Sequence, residues 1–198
     1  MRNKIRLHFP DAYITCRSVP SIYIADFSER TQKTRGIEIH NTQPACPINY
    51  DKQMDCVVMH NPVPLKIDFN VFDDHQFKDE QGKDISHCEC CIYPSENHER
   101  SWVIMLEIKD CKPKNISNYK NEVIEQIIST ANIFRNKNII STHKVYGITS
   151  FPRSKISFNN TIFGMPPEYK KLKTNYGILF AASNNITIVS DTCIKCHE

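Results

Sequence analysis

Residues 86–110 read SHCECCIYPSENHERSWVIMLEIKD. Two largely apolar runs, SHCECCIYP (86–94) and SWVIMLEIK (101–109), flank the polar stretch SENHER, the pattern of two strands joined by a short turn. A turn centred near His98 makes them an antiparallel hairpin with Glu89 opposite Glu107. Because strand side chains alternate, residues 89, 91 and 93 then share a face with 107, 105 and 103. Val103 and Met105 read as core. Glu107 and Lys109 are one residue apart in the same strand, so both project from that same face. Like charges in direct cross-strand opposition destabilise a sheet, so Glu89 and Glu107 call for compensating positive charge, which a divalent cation supplies. The bland alternative is a Glu107–Lys109 ion pair at a strand end, although an exposed pair of that kind contributes little.

Downstream, CKPKNISNYK is a loop containing Pro113, and NYKNEVIEQIISTANIFRNK (118–137) is a helix. Val123, Ile127, Ala131 and Phe134 follow helical spacing, Ile124 and Ile128 widen the stripe, and Ser117 or Asn118 can cap the start. HKVYGITSF (143–151) reads as a strand. A polar, Pro-containing excursion to about Thr174 precedes two more strands, YGILFAA (176–182) and NITIVS (185–190). Upstream, PLKIDFNVF (64–72) alternates Leu65, Ile67, Phe69 and Val71 with polar residues and reads as a strand. DDHQFKDEQGKD (73–84) is a turn with Gly82 at its tip. In residues 1–60, Pro10, Pro20, Pro44 and Pro47 interrupt every candidate element; SIYIADF (21–27) and RGIEIH (35–40) are short strands or pieces of helix.

A chain of 198 residues with 40% hydrophobic content suits one domain with a substantial core. MRNKIRLHFPDAYIT lacks the apolar run of a secretory signal. No stretch approaches the ~18 consecutive apolar residues of a membrane span, so the expectation is a soluble cytoplasmic protein that does not engage membranes. Nine cysteines, an odd number, fit reduced thiols or a metal site better than a fully paired disulfide framework. There is no GxGxxG, GxxxxGK[ST] or GxSxG, which removes the glycine-loop nucleotide sites and the nucleophile elbow. The formal charge of +3 hides an asymmetry: Lys109 to Lys173 holds 12 Lys plus Arg against four acids, Asp110, Glu122, Glu125 and Glu168. Such a basic half suits a polyanion, nucleic acid above all, with a solvated lysine-rich surface as the alternative. Lys112, Lys114, Lys120, Arg135 and Lys144 are the candidate phosphate contacts.

The order strand, hairpin strand ending in Glu-x-Lys, helix, strand resembles the core of the PD-(D/E)XK, or restriction-endonuclease-like, nuclease superfamily, at HCECC and LEIK. Gln126, seventeen residues after Lys109 in EQIISTA, is similar to the glutamine on the helix of the RecB-like branch. The resemblance covers about residues 64–151. It implies an α/β fold with a central mixed β-sheet flanked by helices, and metal-dependent hydrolysis of phosphodiester bonds in DNA, less readily RNA. By that resemblance Glu89, Glu107 and the carbonyl of Ile108 ligate Mg²⁺ or Mn²⁺, Lys109 positions the attacking water, and Gln126 orients Lys109 or a metal-bound water. The residue types suit the chemistry independently, since Mg²⁺ takes hard oxygen ligands and keeps several waters. The family usually has Asp where this chain has Glu89. Asp84 is the rival first acid, but five residues upstream it falls on the opposite strand face. The family also often supplies a Glu from an early helix, for which Glu29 and Glu38 are the candidates.

The cysteines support a different reading. Cys193-x2-Cys196-His197, with His87, Cys88, Cys90 and Cys91 upstream, contains enough soft ligands for a tetrahedral Zn²⁺ site. Some RecB-like nucleases hold an iron-sulfur cluster with one early and three late cysteines, and only two late ones exist here. Cys16, Cys46, Cys56 and Cys111 read as buried, unliganded thiols. The alternative to a nuclease is therefore a catalytically inactive nuclease fold or a zinc-stabilised module, acting through a homodimer or a partner protein.

Overall fold

The computed structural model describes residues 1–28, 30–31, 36–73, 75–154 and 166–197. The chain forms α1 (Arg2–His8), β1 (Tyr13–Arg17), β2 (Ser21–Asp26), β3 (Ile37–His40), a small hairpin of β4 (Ala45–Cys46) and β5 (Asn49–Gln53), β6 (Val57–His60) and β7 (Ile67–Val71). It continues through β8 (Cys90–Pro94), β9 (Trp102–Ile108), α2 (Ile116–Asn136), β10 (Lys144–Ser150), α3 (Pro166–Tyr176), β11 (Ile178–Ala182), β12 (Asn185–Ser190) and β13 (Cys193–His197). Six strands make a mixed sheet in the order β1-β7-β8-β9-β10-β11, antiparallel up to β9 and parallel from β9 to β11. Five more make a second sheet, β13-β12-β6-β2-β3. The protein is α/β, mostly sheet, with three helices among the described residues.

β9 explains the layering. All seven of its residues are buried, as expected for a central strand covered on both faces. Trp102, Ile104, Leu106 and Ile108 pack with Ile22, Ile24, Met59 and Ile188 of the second sheet. Val103 and Met105 pack on the other side with Ile127, Ala131 and Phe134 of α2. The expected pair of helical faces is thus half right: α2 covers one face of the central sheet, and a second sheet covers the other. That second sheet pairs β6 with β12 across more than a hundred residues of chain, a contact with no local signature.

One reading of a single element changes. α2 starts at Ile116, after a 3-10 turn at Pro113–Asn115, with Asn115 rather than Ser117 or Asn118 at the N-cap position and no side-chain cap bond; the fixed φ of Pro113 begins the turn earlier. Both faces of β7 are buried, the polar Asp68 and Asn70 included. Arg2 of α1 pairs with Asp68, and Ser95 Oγ donates to Asp68 Oδ1 at 2.6 Å, so partners rather than water satisfy that carboxylate. Within the polar excursion, Pro166–Tyr176 is helical, and residues 155–165 lie outside the described residues.

α2 is seated by two contacts. Gly147 faces it from β10, where an added Cβ would stand 2.8 Å from Ile127 Cγ2. Thr130 Oγ1 accepts the Cys88 N–H at 2.8 Å and donates to the Gln126 carbonyl at 2.8 Å, tying the helix to the segment that leads into Glu89.

Candidate active site

The β8–β9 ladder pairs Cys90 with Leu106 and Cys91 with Met105, and the same register carried one step further sets Glu89 against Glu107. At that step side chains replace backbone. The Glu89 N–H donates to Glu107 Oε2 at 3.1 Å, and the Ile108 N–H donates to Glu89 Oε2 at 3.1 Å. Neighbouring strands hold the remaining backbone: the Phe72 N–H donates to the Glu89 carbonyl at 3.0 Å and the Lys109 N–H to the Ser150 carbonyl at 2.9 Å. Both acids are therefore fixed where the ladder opens.

Lys109 Nζ stands 2.9 Å from Glu107 Oε1 and 2.9 Å from Glu122 Oε1, with the Tyr119 ring centroid at 5.8 Å. Lys109 is the ionic neighbour of the buried Glu107 Oε1, which has no backbone donor among the described residues. Gln126 Oε1 is buried and has no hydrogen-bond partner among the described residues. Glu89, Glu107, Lys109 and Gln126 line one cavity of about 410 Å³, joined by Asp26 from the second sheet and Glu122 from α2. Ile108 lines it too. Tyr119, Glu122 and Gln126 reach it together because residues spaced by three and four share a helix face.

Burial pushes the Glu107 carboxyl up to about 7, against the pull of Lys109. Glu89 goes well above the usual carboxylate range through burial, then through Glu107 and Asp26. Asp26 is raised by burial, opposed by two hydrogen bonds from Ser28. Burial alone would lower Lys109, but Glu107, Glu122 and Glu89 outweigh it and raise its pKa. An acid pair with elevated pKa values, Glu107 buried and Glu89 part-buried, is short of positive charge, and the donors on offer are carboxylate and amide oxygens, which suit Mg²⁺ or Mn²⁺. Among the described residues no group of three or more His, Cys, Asp or Glu is arranged for a metal ion.

The remaining candidates fall elsewhere. Cys193 and Cys196, three apart on β13, project from opposite faces; Cys196 packs against the core and His197 Nε2 lies 2.7 Å from Thr187 Oγ1. They do not converge on a zinc ion. Cys88 and Cys91 face α2 while Cys90 faces the second sheet, and all nine cysteines are free thiols. Asp84 is bound to Lys78 at 2.9 Å and His75 at 3.0 Å, away from the cavity. Glu38 pairs with His40 at 3.1 Å, and Glu29 lies outside the described residues. Lys112 and Lys114 line an adjoining cavity, and Lys120 lies in the N-terminal part of α2. Arg135 is in the last turn of α2, and Lys144 begins β10, roughly 20 Å along the strand from the Ser150 end that meets Ile108. Those two belong to the opposite end of the sheet.

Sequence reasoning missed Asp26 and Glu122. Asp26 closes the alternating run SIYIAD, but which sheet it joins depends on distant pairing. Glu122 was legible as the residue one turn before Gln126. The chain matches no family model, no curated protein and no solved structure.

Proposed function

We propose that the chain is a metal-dependent nuclease with a restriction-endonuclease-like core, hydrolysing phosphodiester bonds in DNA or, less readily, RNA. One observation carries the reading: two carboxylates meet across neighbouring strands in a cavity that also receives one lysine and one glutamine with an unsatisfied oxygen. Glu89 and Glu107 would hold Mg²⁺ or Mn²⁺, a cation that stabilises phosphate charge and acidifies a bound water. Lys109, held by Glu122 on its other side, offsets charge that develops on the phosphate and orients the attacking water. Gln126 Oε1 accepts a hydrogen bond from that water or from Lys109.

The test is cleavage of plasmid DNA with added Mg²⁺. Wild type is expected to nick or linearise it, and the Glu107→Ala/Lys109→Ala double variant to lose at least about a hundredfold of that rate. Equal activity in the two proteins discards the assignment. One observation favours the alternative of an inactive fold acting through a protein partner. Each carboxylate already spends one oxygen on the opposing backbone N–H, so the pair is partly satisfied without a cation. Calorimetric titration with Mn²⁺ separates the two: binding lost in Glu89→Ala supports the nuclease, and no heat in wild type supports the inactive fold.

A further inference from the structure

The acidic cavity has a basic neighbour. A second cavity, about 390 Å³, shares Asp110, Cys111 and Tyr119 with the first and adds Lys112, Lys114 and Arg153. Its one acid is already engaged. Asp110 is buried and receives Arg30 at 2.6 and 3.1 Å, and Arg153 Nε stands 3.9 Å from the same carboxylate. Lys112 and Lys114 are exposed and form no ion pair with any described residue. Asp26 and Asp73 line the first cavity and not the second. The exposed positive charge therefore lies in the cavity that Tyr119 shares with the first, and a polyanion with one phosphate at the acid pair is drawn toward it.

We propose that this second cavity is a subsite for the nucleic-acid strand that continues from the phosphate held at Glu89 and Glu107. Lys112, Lys114 and Arg153 take the adjoining phosphates, and Tyr119 presents its ring to the base between them. Charge along the sequence nominated the two lysines together with Lys120, Arg135 and Lys144; the geometry keeps the first pair in this cavity, adds Arg153 and Tyr119, and sets Arg135 and Lys144 at the far end of the sheet. The inference rests on the nuclease reading, since it takes its starting phosphate from that site. Aromatic faces beside a basic groove are the means by which single strands are held without sequence preference, so the occupant is an unpaired strand.

The experiment measures binding of a short fluorescent single-stranded oligonucleotide across a salt series, with Ca²⁺ in place of Mg²⁺, and cleavage of the same strand with Mg²⁺. Each phosphate contact on a single strand contributes about 0.7 to the slope of log K against log salt. Lys112→Ala/Lys114→Ala should lower that slope by about 1.4 and raise KM with kcat unchanged. The control Lys52→Ala/Lys195→Ala, which removes two exposed lysines from β5 and β13, should leave the slope at its wild-type value. Tyr119→Ala should weaken binding about tenfold and Tyr119→Phe should not. If wild type neither binds nor cleaves the strand, the nuclease reading falls and takes the subsite with it. If wild type does both and the Lys112/Lys114 variant keeps the slope and KM of the control, the subsite alone is overturned.

Discussion

Glu107 is fully buried at the end of a central strand, and its carboxyl titrates near 7 because burial penalises the charged form more than Lys109 rewards it. In the unfolded chain the same group titrates near 4.5. Between those values the folded state binds the extra proton, so stability in the absence of a cation falls as pH rises through this window and is greatest below it. Glu89, raised by burial and by Glu107, works in the same direction. The loss is on the order of 3 kcal/mol for Glu107. Urea unfolding in EDTA at pH 5 and pH 8 should show it, and Glu107→Gln should flatten most of the difference. By the same linkage, protons compete with a bound cation, so Mn²⁺ affinity should weaken by about tenfold for each pH unit below 7.

Glu122 belongs to the same scale. Lys109 divides its charge between Glu107 and Glu122 at equal distance, and removing the second partner throws the ammonium entirely onto Glu107, the carboxylate proposed to hold the cation. Glu122→Gln is expected to weaken Mn²⁺ binding several-fold and to lower kcat with little change in KM. Glu125→Gln, which takes the same charge from an exposed position on the same helix, should change neither beyond about twofold. Equal effects of the two substitutions would reduce Glu122 to general electrostatics.

Among the elements, what the sequence made legible is what is built from neighbours. The register of the β8–β9 hairpin follows from a short turn and the alternation of CECCIY and WVIMLE, and the apolar stripe of α2 follows from 3.6-residue spacing. Glu89, Glu107 and Lys109 all sit on or beside the hairpin, so their meeting was readable. The seating of one unit on the other was not, because it depends on Thr130, a residue that periodicity treats as a filler position. Thr130 receives the buried Cys88 N–H and returns its own proton to the helix. Thr130→Val keeps the shape and strands that N–H, which should cost about 1–3 kcal/mol in chemical denaturation. Thr130→Ser should recover most of the loss. Because the bond anchors the segment leading into Glu89, the valine variant should also bind Mn²⁺ more weakly under conditions where it remains folded.

For the whole molecule, the second sheet was illegible because β6 joins β12 and β2 joins β6 across proline-broken chain whose strands are only four to six residues long. Asp26 was lost to view with it. The two layers are locked at the site by a buried ion pair: Arg30, which follows β2, holds Asp110, which follows β9, through two bonds of 2.6 and 3.1 Å. Removing one partner of such a pair leaves an uncompensated buried charge, whereas removing both is often nearly neutral. Arg30→Met should therefore cost about 3 kcal/mol or more, even with Arg153 standing 3.9 Å from the stranded carboxylate. Arg30→Met/Asp110→Asn should regain most of it, giving a coupling of more than about 1 kcal/mol in a double-mutant cycle. Additive losses would mean that the sheets are held by their shared apolar core alone and that the pair adds nothing to how β2 presents Asp26 to the cavity.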